Sequence, residues 1–384
     1  MNTATDWRKA RDIAYRVGQG ITLASHSVPL TDAIGHTLAE PVRAANPLPA
    51  FDTVAMDGYA IRGEGPWRLE DTDQLAGTVA DPLSSGHARR IATGAQLPPG
   101  TDGIIRLEDS TESNGQVNGP HQPDWRHVGE EINLGDTLFS SGRTVTPALA
   151  GFAAAAGNDE VSVWSPPTTR LAVFGDELVS QGPARDGKIR DSLGPMLPAV
   201  LDSLGAAGSA AVHVADTPED HLRALENPHS TITLTTGGTM HGPVDYLHPT
   251  LQRLNATYHV NTVAVRPGFP MLLAETDSGI VCGLPGNPQS ALIAIVTLVA
   301  PLIDGMLRRD PPDLSTVTVA DDIAGRGDCT RLALVDHDGR LVAHHGSAML
   351  RGVAAARGFA VVPPHAGARA GQELSFLSLS GISY

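Results

Sequence analysis

The sequence predicts a multidomain α/β protein with a central parallel sheet, an inserted β-rich module and a C-terminal β domain. The chain has 384 residues, which is enough for several domains. Apolar strand-like segments alternate with helical segments from about residue 168 to residue 306. Short strand-like runs separated by glycine and proline come before and after that region. Such alternation is typical of a parallel sheet with crossover helices, where ligands bind at the carboxyl ends of the strands.

The segment before the sheet is predicted to contain helices on both sides of the inserted module. Helical periodicity covers residues 6–19, 32–42 and 146–157. In the last of these, Pro147 suits the first turn and Gly157 suits the C-terminal cap. From residue 45 to residue 136, glycine and proline recur between short β-like runs, which indicates a small β-rich module.

The central region is predicted to be the α/β domain. We expect strands over residues 168–174 and 230–236 and over the segments AAVHVAD and GIVCGL, and helices over residues 193–204, 218–225, 246–254 and 290–306. After Pro311 and Pro312, short strands separated by glycine and aspartate continue to residue 384. This change of pattern predicts a β domain from about residue 307.

Composition and charge exclude several classes of function. The net charge is −15, and lysine occurs only at Lys9 and Lys188, so no basic run is available for a nucleic acid. An anionic ligand would need helix N-termini, glycine-loop amides or a few arginines. The two cysteines, Cys282 and Cys329, predict neither a disulfide nor a zinc site. The 15 histidines lack metal-binding motifs.

The sequence also predicts a cytoplasmic protein without membrane insertion. Its N-terminus is charged where a signal peptide would be apolar, and the longest apolar stretch, residues 291–303, is too short to span a bilayer.

Three loops follow predicted strands and could together bind an anion. Asp176 and Glu177 can ligate Mg²⁺ or hydrogen-bond a ribose or pterin, although such a pair is also typical of a solvated turn. Thr236, Gly237 and Gly238 suit a phosphate, or a tight turn after which Asp245 caps a helix. The third loop comprises Pro285, Gly286, Asn287, Pro288, Gln289 and Ser290. Because it opens a helix, its free amides can face an anion.

Two further residues are candidate site residues, although the sequence pattern around them is less specific. Asp57 precedes a glycine in the β-rich module, where a turn is the ordinary interpretation. Arg266 leads into Pro267 and Gly268, and it is either part of a simple turn or a cation for the anion site.

Seven segments occur in order along the chain: FDTVAMDGYAIR, RIATGAQLPPGTDGIIRLED, GEEINLGDTLFSSGRTVTPALAG, FGDELV, TTGGTMHGPVDY, RPGFP and GLPGNPQSAL. Together they resemble the molybdopterin molybdenumtransferases, the MoeA and gephyrin E-domain family, over nearly the whole chain. The resemblance implies a MoeA-like elongated four-domain subunit. Its parts would be a helical dimerisation domain (1–44 plus 137–167), the inserted β-rich module (45–136), the α/β molybdopterin-binding domain (168–306) and the C-terminal β domain (307–384).

The resemblance also implies an activity and a set of site residues. Such enzymes insert molybdate into adenylylated molybdopterin and release AMP with the help of Mg²⁺, in a homodimer where the sheet loops of one subunit face the β-module loop of the other. The acidic positions of the family correspond to Asp57, Asp176, Glu177, Asp216 and Asp245, and Asp176 and Asp245 would hold the metal. The ligand loops correspond to Thr236, Gly237, Gly238, Pro285, Gly286, Asn287, Pro288 and Ser290, with Arg266 as the site cation.

The chain departs from the family at the lysines of the site. Where the family has KPGKP, this chain has Arg266 and Phe269 around the Pro-Gly pair, and a lysine further upstream corresponds to Thr262. Each lost charge-assisted hydrogen bond would cost about 1.5–3 kcal/mol. The role of Phe269 stays open: it blocks the ligand, stacks on the pterin or packs against its neighbours.

Two classes of function follow. The first is a molybdenum insertase, or a variant of it that uses tungstate, with a molybdopterin adenylyltransferase as a further partner. The second is a gephyrin-like scaffold that binds a partner peptide, for example from a cell-division protein, in a groove near the interface of the last two domains. We favour the insertase because the acidic set and all three loops are present.

Overall fold

The computed structural model describes residues 4–208, 210–226, 230–240, 245–311 and 314–379. Residues 4–164 form a mixed region. Its helices are α1 (Trp7–Gly20), α2 (Leu30–Ala33) and α3 (Pro147–Ala155), with a 3₁₀ turn at Leu107–Asp109. Its strands are β1 (Ser25–Pro29), β2 (Val42–Arg43), β3 (Thr53–Val54), β4 (Gly58–Ile61), β5 (Trp67–Leu69), β6 (His87–Ile91), β7 (Gly103–Arg106), β8 (Thr111–Ser113), β9 (Gln116–Asn118), β10 (Trp125–Arg126), β11 (Thr137–Phe139) and β12 (Glu160–Trp164).

Two of the three helices predicted in this region are confirmed, and their caps explain their limits. Helix α1 begins after Asp6, whose carboxylate accepts a hydrogen bond from the Lys9 amide. Helix α3 begins after Thr146, which caps the Leu149 amide, and Pro147 lies in its first turn. Gly157 follows this helix at a φ of 87°, a conformation that glycine adopts without strain.

The helix predicted over residues 32–42 is wrong. Helix α2 ends at Ala33, and Gly35 has a φ of 89°, which stops a right-handed helix. The following backbone pairs with distant segments instead: the Leu38 amide donates to the Arg143 carbonyl, and Leu38 is fully buried. Long-range β-pairing therefore overrides the local helical pattern.

The β-rich module predicted from residue 45 to residue 136 is confirmed as β-structure. Its main sheet has the strand order β7-β4-β6-β5-β9-β8, and strands β10 and β3 form a separate pair. Strand β4 lies between β6 and β7, and all four of its residues are buried. Asp57 immediately precedes β4, so the sheet fixes its backbone.

The central region builds the α/β layer. Its strands are β13 (Thr169–Phe174), β14 (Leu178–Val179), β15 (Ile189–Arg190), β16 (Ala211–Val214), β17 (Ile232–Thr236), β18 (Thr257–Asn261), β19 (Val265–Arg266), β20 (Leu272–Thr276) and β21 (Gly279–Leu284). Its helices are α4 (Leu193–Ser203), α5 (Pro218–Leu225), α6 (Leu247–Arg253), α7 (Pro288–Ala294) and α8 (Ala300–Met306), and a π-helical turn, Ile295–Val299, joins the last two.

The central sheet confirms the predicted parallel core and adds an antiparallel edge. Its order is β16-β13-β17-β21-β20-β18, with the first four strands parallel and the last two antiparallel. Strands β18 and β20 were not predicted. Because β13, β16, β17 and β21 run in one direction, the loops after them meet at one edge.

The last region is a five-stranded sheet with the order β19-β23-β24-β25-β22 and a short helix. Its own elements are β22 (Ser315–Thr318), β23 (Thr330–Val335), helix α9 (Arg351–Ala355), β24 (Gly358–Val362) and β25 (Glu373–Ser378). The β character predicted from about residue 307 is confirmed for the described part, which stops at residue 379. Strand β19 lies between β18 and β20 along the chain, so the central region contributes one strand to this C-terminal sheet.

Residues 288–306 form one continuous helical stretch that is long and apolar enough to cross a membrane. It is longer than the apolar stretch recognised in the sequence. However, 89% of its most apolar window is buried inside the protein, as expected for a core helix.

Helix α1 packs against α8 through a pair of glycines. A Cβ atom on Gly18 would collide with the Leu302 carbonyl oxygen, and one on Gly305 would collide with the Tyr15 carbonyl oxygen. Each helix therefore approaches the backbone of the other at a glycine. The contact anchors the start of the chain to the central region.

Replacement of Gly305 by alanine is expected to destabilise the protein by about 1–3 kcal/mol, because the helices must separate. The measurement is the free energy of unfolding in urea. Gly20→Ala is the matched control, since a Cβ atom at Gly20 meets nothing within 4 Å. That control should be neutral or slightly stabilising. Equal stability of the two variants would contradict the packing argument.

Candidate active site at the strand ends

The loops after β13, β17 and β21 surround a pocket of about 510 Å³, here called the loop pocket. It contains members of all three predicted loops. Its walls are Phe174, Glu177, Leu178, Ile189, Arg190, Asp191, Ser192, Leu193, Thr236, Gly237, Gly286, Asn287, Pro288, Ala348 and Leu350. The structure thus brings Glu177, Thr236, Gly237, Gly286, Asn287 and Pro288 together, as expected for the carboxyl edge of a parallel sheet.

Two of these loops meet at glycines. Gly237 has a φ of 86°, and its amide donates to the Leu284 carbonyl at 2.9 Å. A Cβ atom on Gly286 would lie 3.8 Å from the Gly237 Cα. Gly238 continues the turn at a φ of 66°. The segment that follows, residues 241–244, lies outside the described residues.

The third loop divides its residues between the pocket and the core. Asn287 precedes α7 but makes no side-chain capping bond, and its exposed amide reaches towards the Ser347 hydroxyl at 3.5 Å. Pro288 occupies the first turn. Pro285 and Ser290 are buried and do not line the pocket.

Asp176 and Asp216, which follow β13 and β16, are linked by two reciprocal hydrogen bonds between side chain and backbone. The Asp176 amide donates to Asp216 Oδ2 at 3.1 Å, and the Asp216 amide donates to Asp176 Oδ1 at 3.3 Å. Lys188 donates to the Asp176 carbonyl at 2.6 Å. These bonds fix two of the predicted carboxylates beside the pocket. Among the described residues, no three His, Cys, Asp or Glu side chains are grouped to hold a metal ion.

Asp57 and Asp245 lie on separate parts of the chain. Asp57 is exposed in the β-rich module, and its Oδ1 accepts hydrogen bonds from the Thr93 amide at 2.6 Å and the Thr93 hydroxyl at 2.8 Å. These bonds stabilise the carboxylate, so they lower the pKa of Asp57. Asp245 is partly buried just before α6. Neither residue lines the loop pocket.

A second cavity, of about 910 Å³, lies between the central and C-terminal regions and is here called the arginine cavity. Among the described residues, its walls contain three arginines and no carboxylate, although the chain has a net charge of −15. They are Arg266, Pro267, Gln289, Gly325, Arg326, Arg331, Leu332, Ala333, Leu334, Leu341, His344, His345, Gly346, Ser347 and Met349.

Two of these arginines are neighbours in the same sheet. Strand β19 pairs in parallel with β23, and Arg266 is in register with Arg331. Arg331 is only 9% exposed and donates to the Ala324 carbonyl at 2.7 Å. Burial, and then the positive charge of Arg326, lower the pKa of Arg331. Because the charges of Arg326 and Arg331 repel each other, an anion in the cavity would relieve the repulsion.

The two pockets share a wall. The backbone amide of Gln289 donates a hydrogen bond to the Ser347 carbonyl at 3.0 Å. With its side-chain nitrogen turned towards them, Gln289 also donates to the carbonyls of His345 and Gly346. Since Asn287 and Ala348 line the loop pocket while Gln289 and Ser347 line the arginine cavity, one short contact separates the two sites.

Phe269 packs under Arg266. The guanidinium carbon of Arg266 lies 4.8 Å from the centre of the Phe269 ring, within the range of a cation–π contact. Phe269 lines neither pocket. Of the three roles considered for this residue, the structure supports packing against a neighbour.

The sequence analysis missed Arg326, Arg331 and Ser347 as site residues, and it named Gln289 only as a member of the third loop. For Arg331 a signal was available, because it is the single charge in the apolar strand TRLALV, and arginine is rarely buried without a partner. The other three have no such signal. Their place depends on how the C-terminal region folds against α7.

Family models match three parts of the chain. The model described as MoeA N-terminal region (domain I and II) matches residues 6–157, the model described as probable molybdopterin binding domain matches residues 171–305, and the model described as MoeA C-terminal region (domain IV) matches residues 317–379. The three matches are in the order of the regions described above.

Curated relatives and solved structures agree with these matches. The molybdopterin molybdenumtransferase of Synechococcus elongatus is 32% identical over 305 residues, which cover 74% of this chain and 76% of that protein. The protein of the same name from Staphylococcus aureus is 32% identical and covers 76% of this chain and 73% of its own length. A crystal structure of the molybdopterin biosynthesis MoeA protein from Pyrococcus horikoshii has the same fold, with a TM-score of 0.81, 24% identity and coverage of 98% and 99%. The chain therefore belongs to the MoeA family.

Proposed function

We propose that this protein is a molybdopterin molybdenumtransferase of molybdenum cofactor biosynthesis, which inserts molybdate into adenylylated molybdopterin and releases AMP. The curated relatives named above support the transferase assignment. The observation that carries the proposal is the arginine cavity, where Arg266 and Arg331 stand in register. No described residue of its wall is a carboxylate, and one contact separates it from the loop pocket.

The two pockets would divide the substrates between them. In the loop pocket, the exposed backbone of Gly286 and Asn287, just before α7, is suited to the phosphates of the adenylylated pterin. In the arginine cavity, guanidinium groups are suited to a tetrahedral oxyanion such as molybdate. Holding two anions in adjacent sites turns an encounter of repelling species into a reaction within one complex.

We propose that Mg²⁺ is held by Asp176 and Asp245 together with phosphate oxygens of the substrate. Mg²⁺ ordinarily binds through one or two carboxylates plus substrate phosphates, so it does not require a cage made by the protein alone. Asp176 fits this role because, among the described residues, a backbone amide bonds its Oδ1 and none bonds its Oδ2. When bound, the ion would neutralise phosphate charge.

We further propose that the protein is a cytoplasmic homodimer. Asp57 is exposed and lines neither pocket. Hydrophobic side chains near it in the β-rich module are also exposed, namely Phe51, Met56 and Leu107. A second subunit whose strand-end loops face this surface would cover the apolar side chains and bring Asp57 to a site.

The experiment that tests the function is AMP release from purified protein supplied with adenylylated molybdopterin, molybdate and Mg²⁺. Asp245→Asn is the variant to run beside it. We expect release by the natural protein and a large loss in the variant. No release and no binding of the adenylylated pterin would contradict the proposal.

The scaffold is the less favoured function. A groove near the junction of the last two regions does exist, since the arginine cavity lies there. Its arginines fit a small anion better than a peptide of unspecified charge, and the curated relatives are named as transferases. Tungstate has the charge and shape of molybdate, so competition between the two anions in the AMP assay distinguishes them.

Phe269→Leu is expected to raise the KM for molybdate about two- to fivefold, because the ring no longer orients Arg266 and an exposed cation–π contact contributes about 0.5–1 kcal/mol. The measurement is the initial rate of AMP release against molybdate concentration. Phe269→Tyr keeps an aromatic face and should behave like the natural protein. A leucine variant with an unchanged KM for molybdate would show that the Phe269 ring is not needed to orient Arg266.

A further inference from the structure

The structure contains a buried histidine beside the carboxylates of the strand ends. His221 is 1% exposed and lies on α5, just after the loop that contains Asp216. Its Nε2 is 3.5 Å from Asp216 Oδ1, and neither ring nitrogen has a well-formed hydrogen bond to any described residue. The site described above does not use this residue.

Aromatic contacts fix the plane of the ring. His221 stacks on Phe174 with 3.8 Å between the ring centres and 25° between the planes, and the edge of Tyr246 lies 5.6 Å away. Phe174 is the last residue of β13, and Tyr246 follows Asp245 directly. The ring therefore contacts Phe174, which is two residues before Asp176, and Tyr246, which is next to Asp245, and it also faces Asp216.

Packing alone does not explain a histidine at this position. The surrounding core contains Phe174, Ala224, Leu225 and Leu247, so leucine would fill the place without burying a polar group. Burial lowers the pKa of His221 although Asp216, Asp220 and Asp245 raise it, so the ring is neutral near pH 7 and has one N–H to donate. A buried N–H without an acceptor costs free energy. The Nε2 nitrogen of His221 faces an acceptor, the Oδ1 atom of Asp216.

We propose that His221 is a positioning residue that orients the Asp216 carboxylate through its Nε2–H. Asp216 Oδ2 already accepts from the Asp176 amide, so the histidine on Oδ1 sets the rotation of the carboxylate and, through it, the Asp176 loop. A shift of about 0.5 Å would bring the 3.5 Å contact into hydrogen-bond range. This inference rests on the proposed function, since the oriented loop is the one that meets the adenylylated pterin.

The test compares His221→Leu with His221→Gln. Leucine keeps the apolar packing and removes the donor, whereas glutamine keeps a donor N–H of similar reach. We expect the leucine variant to melt at the same temperature as the natural protein or higher, and its kcat/KM for AMP release to fall about tenfold. Glutamine should restore most of the rate. A purely structural histidine would give the opposite order, with lower stability and unchanged kinetics.

A double-mutant cycle with Asp216→Asn tests whether the effect passes through Asp216. If His221 acts by orienting that carboxylate, the leucine substitution should change neither kcat/KM nor the dissociation constant of adenylylated molybdopterin in the Asp216→Asn background. A leucine variant with natural kinetics, or an equal loss in both backgrounds, would overturn the inference. If the natural protein releases no AMP, the proposed function fails instead, and the dissociation constants alone then decide the cycle.

Discussion

An Arg266→Met variant is expected to need roughly 10- to 100-fold more molybdate for half-maximal AMP release than the natural protein. Arg266 is exposed, and within the described part of the chain its guanidinium contacts Phe269 and no acidic side chain. It is therefore available to bond an oxyanion. Loss of charge-assisted hydrogen bonds, at about 1.5–3 kcal/mol each, accounts for the change. The measurement is the KM for molybdate at saturating adenylylated molybdopterin.

Two further variants make this prediction specific. Arg266→Lys restores the residue that the family ordinarily has, and it should stay within a few-fold of the natural KM because a cation remains in the cavity. Arg369→Met removes the same charge from an exposed arginine paired with Asp322, outside both pockets, and should leave the KM unchanged. If both methionine variants behave alike, the arginine cavity is not the molybdate site.

A mixed dimer with Asp57→Asn on one subunit and Asp245→Asn on the other is expected to have about half the activity of the natural dimer. Each single variant, as a homodimer, should lose nearly all AMP release. The mixed dimer contains two shared sites, each made of Asp57 from one subunit and Asp245 from its partner. One site has both natural residues and is active, whereas the other has both substitutions and is inactive. The measurement is AMP release by mixed dimers purified through two different affinity tags.

The reciprocal arrangement is the control. When both substitutions are on one subunit and the other is natural, every shared site contains one altered residue, so activity should be absent. Half activity in this arrangement, and none in the first, would show that Asp57 and Asp245 act within one subunit. That result would contradict the proposed dimer site.

Local signals in the sequence were sufficient for much of the fold. The caps Asp6 and Thr146 and the glycine at residue 157 mark the limits of α1 and α3, and the predicted strands at 168–174 and 230–236 lie within two residues of their observed limits. The helix predicted over residues 32–42 failed because distant strands compete for its backbone. Pairing partners are not visible in a local pattern.

The candidate site divides in the same way. The glycine loops could be predicted because turn chemistry and strand ends are local features. The arginine cavity could not be predicted in this way. It forms because β19 pairs with β23 of the C-terminal sheet and not with a strand of the central sheet, which places Arg266 beside Arg331. The position of Gln289 against the loop from His345 to Ser347 likewise depends on the packing of two regions.

The most direct test of the proposed function is the amount of AMP released per molybdate consumed by the purified protein with adenylylated molybdopterin and Mg²⁺. We predict equal amounts, with release that requires molybdate, because both anions must occupy adjacent pockets before the reaction. Release of AMP at the same rate without molybdate would show that the protein only hydrolyses the adenylylated pterin. That result would contradict its function as a molybdenumtransferase.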